Sequence, residues 1–465
     1  MIQRSVCIHA HFYQPSREDP LTGEIPVELG ASPYDNWNDR IFADCYAPNA
    51  AIGNFEKISF NLGPTLTKWM RTKEPQTLAQ IIAADRENIK HFGVGNAMAQ
   101  PYHHSILPLA TRREKKIQVA WGIADFVHTF GHHPEGMWLP ETAVDLETLD
   151  ILAEQGIRFT VLAPWQAEGV IPNPYQPYLV NTSNGRSIAV FFYDSGLSSE
   201  ISFDPAATLN ADGFVQRSVH PRFSTGDAPE LIMLASDGEL YGHHQAFREK
   251  FLARLLETSL QAEGYEPSFP ALWLSRNEIH DTITIKGNTS WSCHHGVQRW
   301  KGECGCTEGG SWKAPLRQAI NTVADQIESA FEEYAGKIIN DPWRAVEEYA
   351  RVMLDQISAD SWLTEQCGDR LNLEQKLHLK SLFEAQVERQ KMFTSCGWFF
   401  EDFDRIEPRN NVIYAAHAVW LAERVCRQDL YSEAIRAFGE VCSPRTGLKG
   451  DDVFSGAYYR FSHRS

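Results

Sequence analysis

The sequence predicts an α/β domain of barrel length followed by an all-helical domain. Two features carry this reading. Over roughly the first 285 residues, short apolar runs alternate with patterns of helical period. From about Ala314 onward the short runs disappear, and long charged segments repeat at the helical spacing.

The apolar runs are Ser5–Phe12, Ile58–Leu62, Gly136–Leu139, Phe159–Leu162, Ile188–Tyr193 and Leu231–Ala235. Each has strand length and is bounded by polar residues, Gly or Pro. Between them, Thr77–Phe92 and Arg112–Phe130 space apolar residues three and four apart. Leu146–Gln155 opens after Asp145, a residue suited to cap a helix N-terminus. Such alternation implies a parallel sheet, and its extent suits a barrel. The later helices are expected at Leu316–Tyr334, Trp343–Ile357, Leu373–Met392 and Asn410–Arg427. The chain therefore divides into a catalytic barrel at 1–287, a segment at 288–313, and a helical domain at 314–465. The middle segment is rich in Gly, Cys, Trp and His and lacks periodicity. It is expected to cap the barrel mouth, with Trp291, Trp300 and Trp312 available for stacking on a sugar.

Asp and Glu number 60 against 43 Lys and Arg, a formal charge of −17. Such a surface repels polyanions, which argues against nucleic acid or an anionic membrane as partner. A neutral ligand such as a carbohydrate is tolerated. The opening residues hold no apolar stretch long enough for a secretory signal, and no later run approaches a membrane span. Nine scattered cysteines suit reduced thiols in a cytoplasm better than a disulfide framework. The 13 Trp, 15 Tyr and 25 Phe exceed what a core alone needs, although most rings in any globular protein are core.

Chemistry-bearing residues gather where strands should end, the active face of parallel α/β folds. His9 and His11 share one face of the first strand, ahead of Gln14. Gln100, His103 and His104 follow in a second polar cluster. Glu141 comes directly after an apolar run, Trp138 and a Pro140 turn. Asp194 follows the run at 188–193. Asp237 and Glu239 follow Leu231–Ala235, with Gly238 between them to allow close approach and His243 just beyond. Any one such carboxylate is ordinarily solvated or a helix cap. Two in matching strand-end contexts, flanked by rings and imidazoles, point to shared chemistry. Cleaving a glycosidic bond needs such a pair, one carboxyl to attack or activate and one to stay protonated for the leaving group.

These segments also carry a resemblance. His9 to Pro15, His104 to Leu109, Gly136 to Glu141 and Asp237 to His243 resemble, in order, the motifs of glycoside hydrolase family 57 across about residues 1–290. The resemblance implies an incomplete (β/α)7 TIM-like barrel, a retaining double displacement, α-glucan substrates, and no metal or other cofactor. By motif position it implies Glu141 as nucleophile and Asp237 as general acid/base, with His11 and His104 lining the −1 subsite. His9, Gln14, Trp138, Glu239, His243 and Trp291 are further expected substrate contacts. The segments Ser290–His295 and Ser395–Asp402 resemble the uncharacterised helical domain behind some members, with Trp398 expected to reach the substrate as part of a fifth motif. Thr142-Ala143-Val144 follows Glu141 where amylases and glucanotransferases commonly carry Arg-Val-Trp, so amylase, 4-α-glucanotransferase and branching activities all stay open. Proteins with this helical domain are usually longer, which implies a short or truncated form.

Two other readings compete. A metal-dependent deacetylase or phosphoesterase would use His9, His11, His104 and Asp237 as ligands around an activated water, leaving Glu141 without a role. A catalytically idle carbohydrate-binding protein would need one of the two carboxylates missing, and both are here. Separately, Cys293, His294, Cys304 and Cys306 offer enough donors for tetrahedral zinc, but their spacing departs from standard sites. The expectation is a hydrogen-bonded capping loop without metal.

Overall fold

The computed structural model describes residues 3–426 and 428–463, and the chain forms two compact units. The first comprises Met1–Gln14, Val27–Pro101 and Phe126–Trp291; the second comprises Pro15–Pro26, Tyr102–Asp125 and Ser292–Ser465.

In the first unit the strands are β1 (Arg4–Phe12), β2 (Ser59–Leu62), β3 (Ala97–Met98), β4 (Phe159–Leu162), β5 (Tyr178–Asn181), β6 (Ser187–Phe192), β7 (Glu230–Asp237) and β8 (Glu266–Pro267). β1 pairs in parallel with β7 on one side and with β2 on the other, and β3 follows β2. β8 pairs with the start of β1. Residues Gly136 and Met137 bridge β3 to β4 through the parallel pairs Ala99–Met137 and Gly136–Phe159. β6 then joins β4 in parallel, and β5 lies antiparallel outside β6. Seven parallel segments thus run β7, β1, β2, β3, residues 136–137, β4, β6, the incomplete (β/α)7 barrel that the family resemblance implied.

Alternation sorts the side chains. Cys7, Phe159, Val161, Phe191, Leu231, Met233 and Ala235 fill one core with Met98 and Trp138. Even-numbered residues of β1 such as Val6, Ile8, Ala10 and Phe12 are also buried, so the strand is covered on both faces. Helices α1 (Pro64–Lys73) and α2 (Pro75–Phe92) both begin with proline at the first turn, and α2 stops at Gly93 with φ 79°. In α3 (Leu146–Glu154) the Asp145 carboxylate accepts from the Thr148 amide at 2.7 Å, as the capping pattern foretold. The expected strand at Gly136–Leu139 is reduced to isolated bridges, because Pro140 and a left-handed Glu141 follow at once. β7 continues past Ala235 to Asp237.

The second unit is helical. Its helices include the long α4 (Lys313–Ala335), the short α5 (Pro342–Glu348) and α6 (Ala350–Met353), and then α7 (Leu373–Lys391), α8 (Ile406–Glu423) and α9 (Gly450–Ser462). α8 is buried on nearly every face, which makes it the centre against which α4, α7 and α9 pack. The single helix expected at Trp343–Ile357 is two short ones meeting at Tyr349. The helix expected to reach Arg427 ends at Glu423, and Arg427 lies outside the described residues. Residues 15–26 and 102–125 join this unit although the sequence reading kept them with the barrel. Among the described residues no helix is long and apolar enough to cross a membrane.

Candidate active site

The site is assembled by register. β1 and β7 pair so that His11 stands opposite Asp237, while His9 and His11 stand opposite Ser59 and Asn61 of β2. Side chains directly across a parallel ladder share a face. His9 Nδ1 accordingly meets Ser59 Oγ at 2.9 Å, and His11 Nδ1 meets Asn61 Oδ1 at 3.1 Å. Asn61 Nδ2 donates onward to Gln100 Oε1 at 2.6 Å, leaving its Oδ1 to accept from His11. Burial pushes both imidazoles down, His9 to about 3 and His11 to about 4, so both are neutral at physiological pH.

Trp138 packs flat on His9, centroids 4.5 Å apart, and on His11 at 5.4 Å. Trp291 meets Trp138 edge-on at 5.1 Å, and its indole Nε1 donates to Glu141 Oε2 at 3.0 Å. The Trp291 amide also donates to the Glu141 carbonyl at 2.9 Å. Glu141 and Thr142 both adopt left-handed backbone, φ 57° and 48°. For a β-branched Thr142 that conformation is strained, and strain of this kind persists only where neighbours over-determine it. The restraint here is Gln166. It is fully buried, accepts from Thr142 Oγ1 at 3.0 Å and the Ala163 amide at 2.8 Å, and donates to the Thr142 carbonyl at 2.8 Å.

Asp237 ends the inward row of β7 and keeps solvent contact. Desolvation by the surrounding protein, then the negative charge of Glu141, push its carboxyl up to about 7. The two carboxyls, far apart in sequence, therefore sense each other. Glu239 is buried, and its Oε1 accepts from Tyr46 Oη at 2.6 Å, the Tyr13 amide at 3.2 Å and Gln14 Nε2 at 3.4 Å. Burial outweighs these donors and raises it to about 8, with Asp237 adding to the rise. The close approach that Gly238 permits is protein on protein, since a Cβ there would meet the Phe12 ring at 2.2 Å. Three buried atoms of the cluster, His9 Nε2, Gln100 Nε2 and Trp138 Nε1, have no hydrogen-bond partner among the described residues. Orphaned polar atoms of this kind are uncommon in protein interiors.

Several expected contacts are buried or held by neighbouring groups. His9 and Trp138 are fully buried and form the wall of the cluster rather than an open face. His243 bonds Asp44 Oδ2 at 3.0 Å and lies half-buried. Asp194 caps the helix Ser195–Phe203 and pairs with Arg222 at 3.0 Å. In the second unit His104 is buried, with Nδ1 2.7 Å from Ser395 Oγ. Trp398 is buried there too, its Nε1 donating to the Lys313 carbonyl. Trp300 and Trp312 are likewise buried, so of the three loop tryptophans Trp291 alone retains partial exposure. Ser59, Asn61, Tyr46 and Gln166 carried no local signal, because each owes its place to pairing with a distant segment.

A sequence profile described as "Glycosyl hydrolase family 57" matches residues 42–284, over half of the chain, and one described as "Domain of unknown function (DUF3536)" matches residues 310–456. The chain is 24% identical over 216 residues to Alpha-amylase 1 of Dictyoglomus thermophilum, a span of 44% of this chain and 29% of that protein. The alignment therefore covers less than a third of that relative's length. Among solved structures, an exo-type maltose-forming amylase from Pyrococcus sp. ST04 superposes with a TM-score of 0.72 at 18% identity, covering 94% of this chain and 82% of the other. The branching enzyme of Pyrococcus horikoshii gives 0.62 at 15% identity, covering 99% and 94%. The 4-α-glucanotransferase of Thermococcus litoralis gives 0.59 at 16%, covering 92% and 61%. These likenesses are of fold.

Proposed function

The chain belongs to glycosyl hydrolase family 57, and on that premise we propose that it is a retaining enzyme acting on α-glucans, with Glu141 as nucleophile and Asp237 as general acid/base. The observation that carries this reading is that Asp237 ends β7 opposite His11, close enough to Glu141 for that carboxylate's charge to raise its carboxyl. A retaining mechanism needs two carboxyls in different protonation states at one site. Glu141, with one oxygen fixed by Trp291, attacks the anomeric carbon while Asp237 delivers a proton to the departing oxygen. Asp237 then takes a proton from water or from an acceptor hydroxyl, which opens the glycosyl-enzyme. Hydrolysis and transfer share the first half and differ in which acceptor arrives. Amylase, glucanotransferase and branching activity, the activities named for the similar proteins, are the three forms this chemistry takes. Nine scattered cysteines with no disulfide among the described residues support a reducing, cytoplasmic setting, and the net negative charge disfavours polyanionic partners.

The metal-dependent alternative is weaker. His9 is wholly enclosed. Among the described residues, the ligand atoms of His9 and His11 form no convergent group with Asp237.

Incubation with maltooligosaccharides, amylose and glycogen, followed by product profiling, tests the reading. Turnover of at least one, with the first-formed product keeping the α-anomer, is expected. Glu141→Gln should lower kcat by roughly 10³-fold or more. Inversion of configuration, or a Glu141→Gln variant of near-normal rate, would overturn the assignment.

A further inference from the structure

Outside the carboxylate cluster, one group of side chains converges without serving it. In the second unit, Cys293, His295, Cys304 and Cys306 bring their donor atoms within 4.8 Å of one another. The Cys293 and Cys304 sulfurs are 3.5 Å apart, those of Cys293 and Cys306 3.8 Å. Nδ1 of His295 lies 3.1 Å from the Cys304 sulfur and 3.6 Å from that of Cys306.

These separations have a physical signature. Sulfurs roughly 2.3 Å and a nitrogen roughly 2.05 Å from a tetrahedral zinc stand about 3.8 Å (sulfur to sulfur) and about 3.6 Å (sulfur to nitrogen) apart. A disulfide would draw two sulfurs to about 2.05 Å, and none of these thiols is so paired. By sequence alone His294 is the candidate imidazole. The structure makes it His295, and the His294 backbone instead hydrogen-bonds the Cys306 sulfur. The Cys306 backbone likewise hydrogen-bonds the Cys304 sulfur, two residues back across Gly305. Amide donors of this kind orient metal-bound thiolates and spread their charge. Lys313 is fully buried nearby, its ammonium donating to Thr307 Oγ1 at 3.0 Å, and its positive charge acts on Cys304 and Cys293. Three thiolates around one zinc leave a net charge of −1, which that lysine offsets.

We propose that Cys293, His295, Cys304 and Cys306 bind a single zinc ion in a closed, structural site. Four protein donors leave no position for substrate or water, so the ion pins the loop at residues 293–306 and takes no part in catalysis. Binding releases the three thiol protons and leaves sulfur oxidation states unchanged. The loop has little regular structure of its own, with one short turn at Gln298–Trp300, and a four-point anchor supplies the order that helix or strand pairing elsewhere provides.

The full chain, produced in zinc-supplemented medium and purified without chelator, should carry one zinc per chain by elemental mass spectrometry. Protein grown with cobalt should show a thiolate-to-cobalt charge-transfer band and tetrahedral d–d absorption. His295→Ala and Cys306→Ser, the more exposed pair of ligands, should each lower zinc content several-fold, while Cys442→Ser, an exposed thiol elsewhere, should leave it at one. Wild-type protein free of zinc and unable to develop the cobalt spectrum would overturn the proposal. So would zinc content unchanged in a Cys304→Ser/Cys306→Ser double variant, or a Cys293–Cys304 disulfide in anaerobically prepared protein. If the double variant does not fold, the cobalt spectrum of the wild type decides alone.

Discussion

The indole nitrogen of Trp291 donates to Oε2 of Glu141 across 3.0 Å, although 150 residues separate them in the chain. The main chain repeats the link, since the Trp291 amide donates to the Glu141 carbonyl. Glu141 is thus gripped at both its ends by a single residue. A hydrogen bond to a charged acceptor contributes about 1.5–3 kcal/mol. Trp291→Phe keeps most of the packing on Trp138 and removes only the donor. It should lower kcat/KM by about ten- to a hundredfold with little loss of thermal stability. Steady-state kinetics beside a melting curve would test this, and a change under twofold would show that the grip is catalytically idle.

The raised Asp237 carboxyl sets a pH dependence. An acid must be protonated to help the leaving group, and this one loses its proton near pH 7 in the folded protein. Activity in the first half-reaction should therefore fall as pH rises through about 7. Asp237→Asn should remove this limb and cost about 10²–10⁴-fold in rate on ordinary glucans. Donors with good leaving groups need no proton, so they should recover the glycosylation step in that variant. A pH-rate profile unchanged by the substitution would place the acid elsewhere.

Glu239 offers a test that does not depend on turnover. Its folded-state value of about 8 lies above the ordinary 4.5, so between those two pH values the fold holds a proton that the unfolded chain has released. Stability from this group is fully present below about 4.5 and is lost as pH rises through 8. One proton can impose a slope of at most about 1.4 kcal/mol per pH unit. Glu239→Gln stays neutral throughout and should flatten that slope. Urea denaturation of both proteins at intervals from pH 5 to 8.5 would reveal the difference, and parallel curves would refute the buried neutral carboxyl.

Much of this arrangement was legible in the chain because strand alternation is a local rule. Placing His9 and His11 on one face needs only their spacing, and Asp237 extends the buried row 231, 233, 235 by the same rule. What local pattern cannot supply is register. Nothing near Ser59 or Asn61 announces that they will sit opposite the two histidines, and Gln166 lies in a stretch with no motif at all. Aromatic residues are ambiguous in another way. Trp300 and Trp312 read as rings for sugar stacking and Trp398 as a substrate contact of a fifth motif, and all three are buried, as large rings usually are. The assignment of residues 15–26 and 102–125 to the helical unit is a tertiary fact with no periodicity to betray it.

Gln166 is where the unread part of the sequence bears most directly on chemistry. Its side chain contacts neither carboxyl, but its amide satisfies Thr142 at both the hydroxyl and the carbonyl, and it also donates to Thr289 Oγ1 at 3.1 Å. Those bonds hold Thr142, and through it Glu141, in a left-handed turn that costs a β-branched residue about 1–3 kcal/mol. Gln166→Ala would leave several buried polar groups unpaired, each costing about 1–3 kcal/mol, so destabilisation is expected. A purely structural role would lower the melting temperature and leave the surviving folded protein with normal kcat. A positioning role predicts more: kcat falls about tenfold or further while KM changes little, because the nucleophile is displaced and the rest of the cluster stays in place. Thr142→Gly, which adopts the same turn without strain, should restore part of that kcat in the Gln166→Ala background. Kinetics well below the melting temperature on the single and double variants would separate the two roles, and a normal kcat in Gln166→Ala would remove Gln166 from the account of how Glu141 is aimed.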